Sequence, residues 1–354
     1  MRVAQILCAA GPVDAVTNQA LAYRRLFQSW GWSGEDYAPV QAPGMARGSV
    51  RPLHQFRPGR AELVVLHYSG HAPGIEDIVA GCRRSLLISH NITPPDYFWA
   101  IDPAEAVRCQ LARAQLARVA SVTGALAGVS EFNARELGEL SDREVEVIPV
   151  LFDRAALPGP ASTDGGAPTP PDIGAPTVLF VGRLVPHKRQ DLVIRAFARW
   201  RHDVPEARLV LVGTPLSAQF AAGLQRLGDE LAPGAVSLQS SLAPEDLWRR
   251  YRSAGAFLCL SEHEGFCIPL LEAFHFRLPV IARDAGAAGE VVGDAGVLVD
   301  GGDGVGVVAE LLSIVMGDGE LRAELATRGQ ARLAHYDYGR TARALRARLQ
   351  EVAG

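Results

Sequence analysis

The chain has 354 residues, enough for two ordinary domains, and at 48% hydrophobic and 21% charged it has the balance of a globular protein. Its formal net charge is −4, and residues 1–152 carry 14 Arg against 15 Asp plus Glu, which excludes a domain-wide positive field for nucleic acid or anionic lipid. Five cysteines without a CxxC pair read as reduced, mostly buried thiols, and no apolar run approaches the roughly 20 residues that span a bilayer. With Met1 to Leu7 too short for a signal-peptide core, a cytoplasmic chain is expected, peripheral contact at the inner face of a membrane being left open.

Short apolar runs alternate with longer amphipathic stretches from end to end, the pattern of parallel βα units. The first run, 3–10, leads through Gly11-Pro12-Val13-Asp14 into a predicted helix over 17–30. Strands are predicted at 63–68, 86–90, 125–129 and 145–150, and helices over 103–119 and 131–139. His67 and His71 flank Tyr68-Ser69-Gly70 at a strand end, where their spacing does not bring side chains together, so structural placement is expected there rather than metal binding. His90 closes a strand and opens His90-Asn91-Ile92-Thr93-Pro94-Pro95. Residues 41–59 carry no pattern that we can read physically.

Residues 154–176 are rich in Pro, Gly and Ala without a period and are predicted to be a linker. The alternation then restarts, with strands at 177–181, 207–211, 236–238, 256–260, 279–282 and 296–299. Gly301-Gly302-Asp303-Gly304-Val305-Gly306 lacks the dinucleotide register and reads as a turn before a helix over 305–316. A helix over 338–352 closes the chain and is expected to pack back on the first domain. The predicted fold class is thus α/β: two Rossmann-like doubly wound domains, 1–153 and 177–335, with residues 336–354 crossing back. Ligands of such sheets bind outside the carboxyl ends of the strands, and a central cleft between two facing domains is the expected place for a pocket.

Two constellations carry chemistry. Lys188 is the only lysine among 35 basic residues and lies in Val181-Gly182-Arg183-Leu184-Val185-Pro186-His187-Lys188, straight after a predicted strand. Lysine is a compact point charge on a flexible stem where arginine is a planar fork, so the lone exception beside Arg183 suggests an anion site. In that reading it is an exposed loop residue whose removal leaves folding nearly untouched. The second constellation is Ser261-Glu262-His263-Glu264-Gly265-Phe266-Cys267-Ile268-Pro269-Leu270-Leu271-Glu272, again after a strand. Gly265 permits close backbone approach, Pro269 suits the first turn of a helix, and amides around Gly265, Phe266, Cys267 and Ile268 would receive a phosphate. If Glu264 and Glu272 both lay on that helix, the ~1.5 Å rise per residue would part them by ~12 Å, too far for acid and base on one bond and suited to two separate hydroxyl-bearing groups.

Arg183 and Lys188 in RxxxxK spacing, followed by Glu264 and Glu272 within EGFCIPLLEA, resemble the retaining glycosyltransferases of family four with the GT-B fold, and the His90 segment is similar to one in bacterial mannosyltransferase-like members. The resemblance implies transfer of a hexose from a nucleoside-diphosphate sugar (GDP-mannose or a UDP-hexose) to a hydroxyl of a glycan, lipid-linked or small-molecule acceptor. It implies that Arg183 and Lys188 hold the diphosphate, that Glu264 binds donor hydroxyls and Glu272 the ribose, and that His90 lies at the reaction centre. It puts the acceptor on the 1–153 domain and the donor on 177–335; Gly182 is counted with the donor-binding residues, and the turn from Gly11 to Asn18 occupies the place of the family's glycine-rich donor loop, although the double glycine is absent. Position 267, often glycine in the family, is Cys267, and Gly286-Ala287-Ala288-Gly289-Glu290 lacks the proline common before its glutamate. No DxD motif occurs, so neither metal nor any cofactor beyond the sugar nucleotide is expected. The rival readings are a GT-B-type epimerase or phosphorylase and a non-catalytic sugar-nucleotide-binding subunit.

Overall fold

Leu63–Tyr68 and Ser85–Ser89 are buried at every position, as strands must be in a parallel sheet covered by helices on both faces. In the computed structural model, which describes residues 1–159, 175–240 and 242–354, the chain divides into two units. The first unit comprises Met1–Leu151 with Tyr336–Gly354, the second Phe152–His335. Of the predicted linker 154–176, residues 160–174 lie outside the described residues.

The first unit holds β1 (Val3–Leu7), β2 (Asp36–Ala38), β3 (Arg51–Pro52), β4 (Leu63–Tyr68), β5 (Ser85–Ser89), β6 (Ala125–Gly128) and β7 (Glu146–Val147). They form one parallel sheet in the order β3-β2-β1-β4-β5-β6-β7, with the reversal of a doubly wound sheet beside β1. Its helices are α1 (Ala15–Ser29), α2 (Ile75–Ala80), α3 (Pro103–Val122) and α4 (Glu131–Ser141). Asp14, Asp102 and Ser130 cap α1, α3 and α4 by accepting from backbone amides three residues on, which fixes where those helices begin.

The second unit repeats the plan with β8 (Thr177–Val181), β9 (Arg208–Val212), β10 (Val236–Gln239), β11 (Ala256–Cys259), β12 (Val280–Arg283) and β13 (Val297–Val299), ordered β10-β9-β8-β11-β12-β13 and parallel throughout. Around it lie α5 (Gln190–Arg201), α6 (Ala218–Leu231), α7 (Pro244–Ser253), α8 (Ile268–His275), α9 (Ala288–Val292), α10 (Val305–Gly317) and α11 (Gly319–Arg332). Phe180, Phe197 and Trp200 anchor a core that runs on through Leu209, Leu258 and Leu312. The last helix, α12 (Tyr338–Ala353), belongs to the first unit and packs on β4 and β5. No helix among the described residues is long and apolar enough to cross a membrane.

The strands β2 and β3 have no counterpart among the predicted elements; at three and two residues they are too short to show as apolar runs. Where 145–150 was expected as a strand, only Glu146–Val147 pairs, with β6.

Candidate active site

The carboxyl ends of β8 and β11 lie side by side in the second sheet, and the two constellations follow them. After β8 the chain passes Gly182 and Arg183 and tightens into a 3-10 turn, Pro186–Lys188. Gly182 donates its amide to the Val212 carbonyl at 2.9 Å. A Cβ at Gly213 would stand 1.8 Å from the Gly182 carbonyl oxygen, so this approach of two strand ends requires glycine at 213. The Arg183 carbonyl accepts from Gln190 Nε2 at 2.9 Å, while its guanidinium is exposed and makes no hydrogen bond or ion pair among the described residues.

Lys188 is corrected in placement: it is not an exposed loop residue. Its side chain is 17% exposed and Nζ donates directly to Glu264 Oε2, an ion pair whose carboxylate is itself buried. Burial works to lower the Lys188 pKa, but the Glu264 carboxylate together with Cys267 and Cys259 more than offsets it and holds the ammonium charged, above its ordinary range. An ammonium has three donors, and one is given to Glu264. The neighbouring His187 is pushed down to about 2, by burial first and then by the charges of Lys188 and Arg183, and is neutral.

Glu264 lies in the turn after β11, not on α8, so the geometry in which both glutamates share a helix does not arise; only Glu272 is helical. The Glu264 backbone is clamped from behind. Its carbonyl accepts from the Ala287 amide at 2.9 Å, and Gly286, at φ 59°, lies so close that a Cβ there would meet the Glu264 oxygen at 2.5 Å. Glu272 accepts from the Tyr251 hydroxyl at 2.6 Å, and burial raises its pKa. One carboxylate oxygen thereby stays available to a second donor.

Cys267 caps α8 with φ 75°, a left-handed conformation that glycine adopts without cost. The first turn, with Ile268 and Pro269, leaves amides that the helix itself does not pair, and its dipole favours an anion there. Beneath it, Cys259, Glu264 and Cys267 place one ligand atom each within 4.8 Å of one another, the one trio with metal-ligating proximity among the described residues. Glu264 in that trio already neutralises Lys188. A cavity of about 300 Å³ adjoins, between Arg189, Glu262, Arg283 and Asp303, and both of its guanidiniums are committed to Glu262.

Arg183, Lys188, Glu264, Gly265, Phe266, Cys267, Ile268, Glu272 and Gly182 thus all belong to the second unit, while His90 and Gly11 belong to the first. Gly11 has its amide bonded to Thr17 Oγ1 at 3.1 Å, and its place would accept a Cβ at ordinary contact distances. His90 follows β5 and is partly buried; burial lowers its pKa to about 4. Its Nε2 lies 3.0 Å from Nδ1 of His67, which is fully buried on β4. Tyr251, Gly213 and Gly286 were missed in the sequence; only the glycines left a trace there, and nothing marked Tyr251 as the partner of a glutamate 21 residues on.

Residues 168–332 match the family model "Glycosyl transferases group 1", in agreement with the resemblance over the part of the chain that holds both constellations. A D-inositol 3-phosphate glycosyltransferase of Nocardia farcinica is 31% identical over 263 residues, 69% of this chain and 55% of the relative. A GDP-mannose-dependent alpha-(1-6)-phosphatidylinositol monomannoside mannosyltransferase of Mycolicibacterium smegmatis is 31% identical over 195 residues, 49% of this chain and 50% of the relative. The chain spans about half the length of the curated relatives it matches. Among solved structures, HepE of Anabaena in complex with UDP-glucose superposes with a TM-score of 0.77 at 17% identity, covering 99% of each chain. Sucrose-phosphate synthase of Thermosynechococcus elongatus gives 0.78 at 16% identity, again over 99% of each. The fold is that of the GT-B glycosyltransferases.

Proposed function

We propose that this chain, whose residues 168–332 are a group 1 glycosyl transferase domain on a GT-B fold, transfers a hexose from a nucleoside-diphosphate sugar to an acceptor hydroxyl with retention at the anomeric carbon. The observation that carries this is the buried, charged Lys188 held by Glu264 at the carboxyl end of a parallel strand, with the exposed Arg183 five residues before it. In this reading one cation held by Glu264, a second that is exposed, and the N-terminus of α8 form a cradle for a diphosphate.

In this reading Lys188 spends its remaining donors on the diphosphate, and Arg183 joins it as charge builds on the leaving oxygen. Amides at Cys267 and Ile268 take phosphate oxygens, Glu264 accepts from donor hydroxyls, and the free oxygen of Glu272 accepts from a ribose hydroxyl. The acceptor oxygen bonds to the anomeric carbon on the face from which the phosphate departs. The bond from that carbon to the phosphate oxygen breaks, and the acceptor proton passes to the departing phosphate. No carboxylate nucleophile under the sugar is needed, and the two cations do the work of a metal clamp. A relative named as GDP-mannose-dependent, and a fold neighbour with bound UDP-glucose, support GDP-mannose or a UDP-hexose as donor. The acceptor is a hydroxyl of a glycan, a lipid-linked sugar or a small polyol, the last supported by relatives named for D-inositol 3-phosphate.

The test is a panel of nucleotide sugars with and without hydroxylic acceptors. Nucleoside diphosphate is expected to appear with one donor, in step with an acceptor, and the product linkage is expected to keep the donor's anomeric configuration by NMR. Release that depends on inorganic phosphate or on water alone would replace transfer by phosphorolysis or epimerisation.

A further inference from the structure

Parallel strands buried on both faces are normally apolar, yet β1 and β4 carry Gln5 and His67, each fully buried. Buried polar groups persist where every one is hydrogen-bonded, and these two belong to a chain of bonds whose polarity can be read atom by atom. Gln5 Nε2 lies 2.8 Å from the Ala20 carbonyl oxygen and 2.8 Å from Asp36 Oδ1. A carbonyl oxygen only accepts, so the nitrogen of this amide must be the atom placed there. Asp36 Oδ1 is in turn held by Arg24, through Nε at 3.1 Å and Nη2 at 2.6 Å, so the amide has no reason to turn.

Gln5 Oε1 then faces His67 Nε2 at 2.9 Å. Since that oxygen accepts, His67 Nε2 carries the proton. His67 is neutral: its burial, with His90 and Arg24 nearby, pushes its pKa well down. Tyr23 covers it edge-on at 5.3 Å, and Cys8 donates its thiol to the His67 carbonyl rather than to the ring. A neutral ring protonated at Nε2 is bare at Nδ1, and that atom lies 3.0 Å from His90 Nε2, which must therefore be the donor. His90, also neutral, is left bare at Nδ1. That atom has no hydrogen-bond partner among the described residues, and the His90 side chain, at the end of β5, is only partly buried.

We propose that Asp36, Gln5 and His67 are positioning residues that fix His90 in the neutral tautomer protonated at Nε2, so that its Nδ1 accepts a hydrogen bond from a substrate hydroxyl and never offers one. The proposal rests on the transferase reading for the identity of that hydroxyl, and on the hydrogen-bond geometry, with the burial that keeps both rings neutral, for the tautomer.

The two parts are tested separately. In the full-length protein labelled with ¹⁵N-histidine at pH 7, long-range proton–nitrogen correlation is expected to show Nε2–H and a bare Nδ1 for both His67 and His90, assigned by loss of each signal on substitution. A His90 protonated at Nδ1, or at both nitrogens, overturns the wiring whatever the activity. In His67→Leu, His90 Nε2 loses its acceptor and the proton is expected to move to Nδ1, with kcat down by about 10²-fold at unchanged donor KM. His67→Asn, whose amide oxygen can stand where Nδ1 stood, is expected to restore both tautomer and kcat. A folded His67→Leu with normal kcat, or no rescue by His67→Asn, overturns the positioning role. Should His67→Leu fail to fold, Gln5→Met is read by the same two measurements, since it removes the acceptor that sets the polarity. Absence of transfer by the wild-type protein while the tautomer is as stated would instead remove the transferase reading and leave the wiring in place.

Discussion

At the scale of single residues, Lys188 and Glu264 act as one unit. Replacing Lys188 by Arg keeps the charge but puts a longer planar group where an ammonium sits against Glu264, and if that ammonium meets the diphosphate as proposed, kcat is expected to fall by about 10²–10³-fold. Lys188→Ala is expected to do at least as much damage and also to lower stability, by up to about 3–5 kcal/mol, because it strands a buried carboxylate. Steady-state kinetics with urea unfolding check both, and near-normal turnover for Lys188→Arg would sink the phosphate role. The two glutamates should separate in the same assay. Glu264→Gln meets the reacting sugar and lowers kcat, whereas Glu272→Gln still accepts from Tyr251, leaves the fold intact and raises donor KM instead. Equal losses of kcat would refute that division.

At the scale of elements, the sequence was most informative where local pattern suffices. The runs at β4, β5, β8 and β9 and the capped starts of α3 and α4 are readable because apolar composition and cap residues are local properties. The edge strands β2 and β3 owe their existence to backbone pairing with neighbours far along the chain. The lone lysine and EGFCIPLLEA singled out two turns that the fold brings side by side, but the burial of Lys188 could not be read, since it depends on Glu264, 76 residues on. The Gln5–His67 pair was hidden for the same reason: polar residues in apolar runs show their purpose only once strands lie side by side. Gly286 shows the cost of such non-local fit. Gly286→Ala must adopt φ near 59° and drive a Cβ to 2.5 Å from the Glu264 oxygen, so a loss of about 1–3 kcal/mol is expected together with a fall in kcat as Glu264 shifts. Gly11→Ala, with ordinary contacts, is the control and should change stability little. A stable, fully active Gly286→Ala would show that the clamp does not position Glu264.

At the scale of the whole molecule, a net charge of −4 gives no general attraction for a diphosphate, so in the proposed reading affinity comes from the local field of Arg183, Lys188 and the start of α8. Because Lys188 is held by Glu264 and Arg183 and the start of α8 belong to the same unit, the proposed diphosphate should bind with its charge met by protein, and a divalent cation should add little. GDP or UDP at 100 times its dissociation constant is expected to stabilise the protein by about 2.7 kcal/mol, equally with and without excess EDTA. Hydrogen exchange should slow most at the end of β8, in the Pro186–Lys188 turn and in the first turn of α8, where the ligand replaces water at backbone amides. Lys188→Ala should lose most of this ligand-dependent protection. If EDTA abolishes both the stabilisation and the transfer, and Mg²⁺ or Mn²⁺ restores them, then the two cations do not suffice and a metal completes the charge; carboxylates such as Glu264 would then have to be released from Lys188 to hold it.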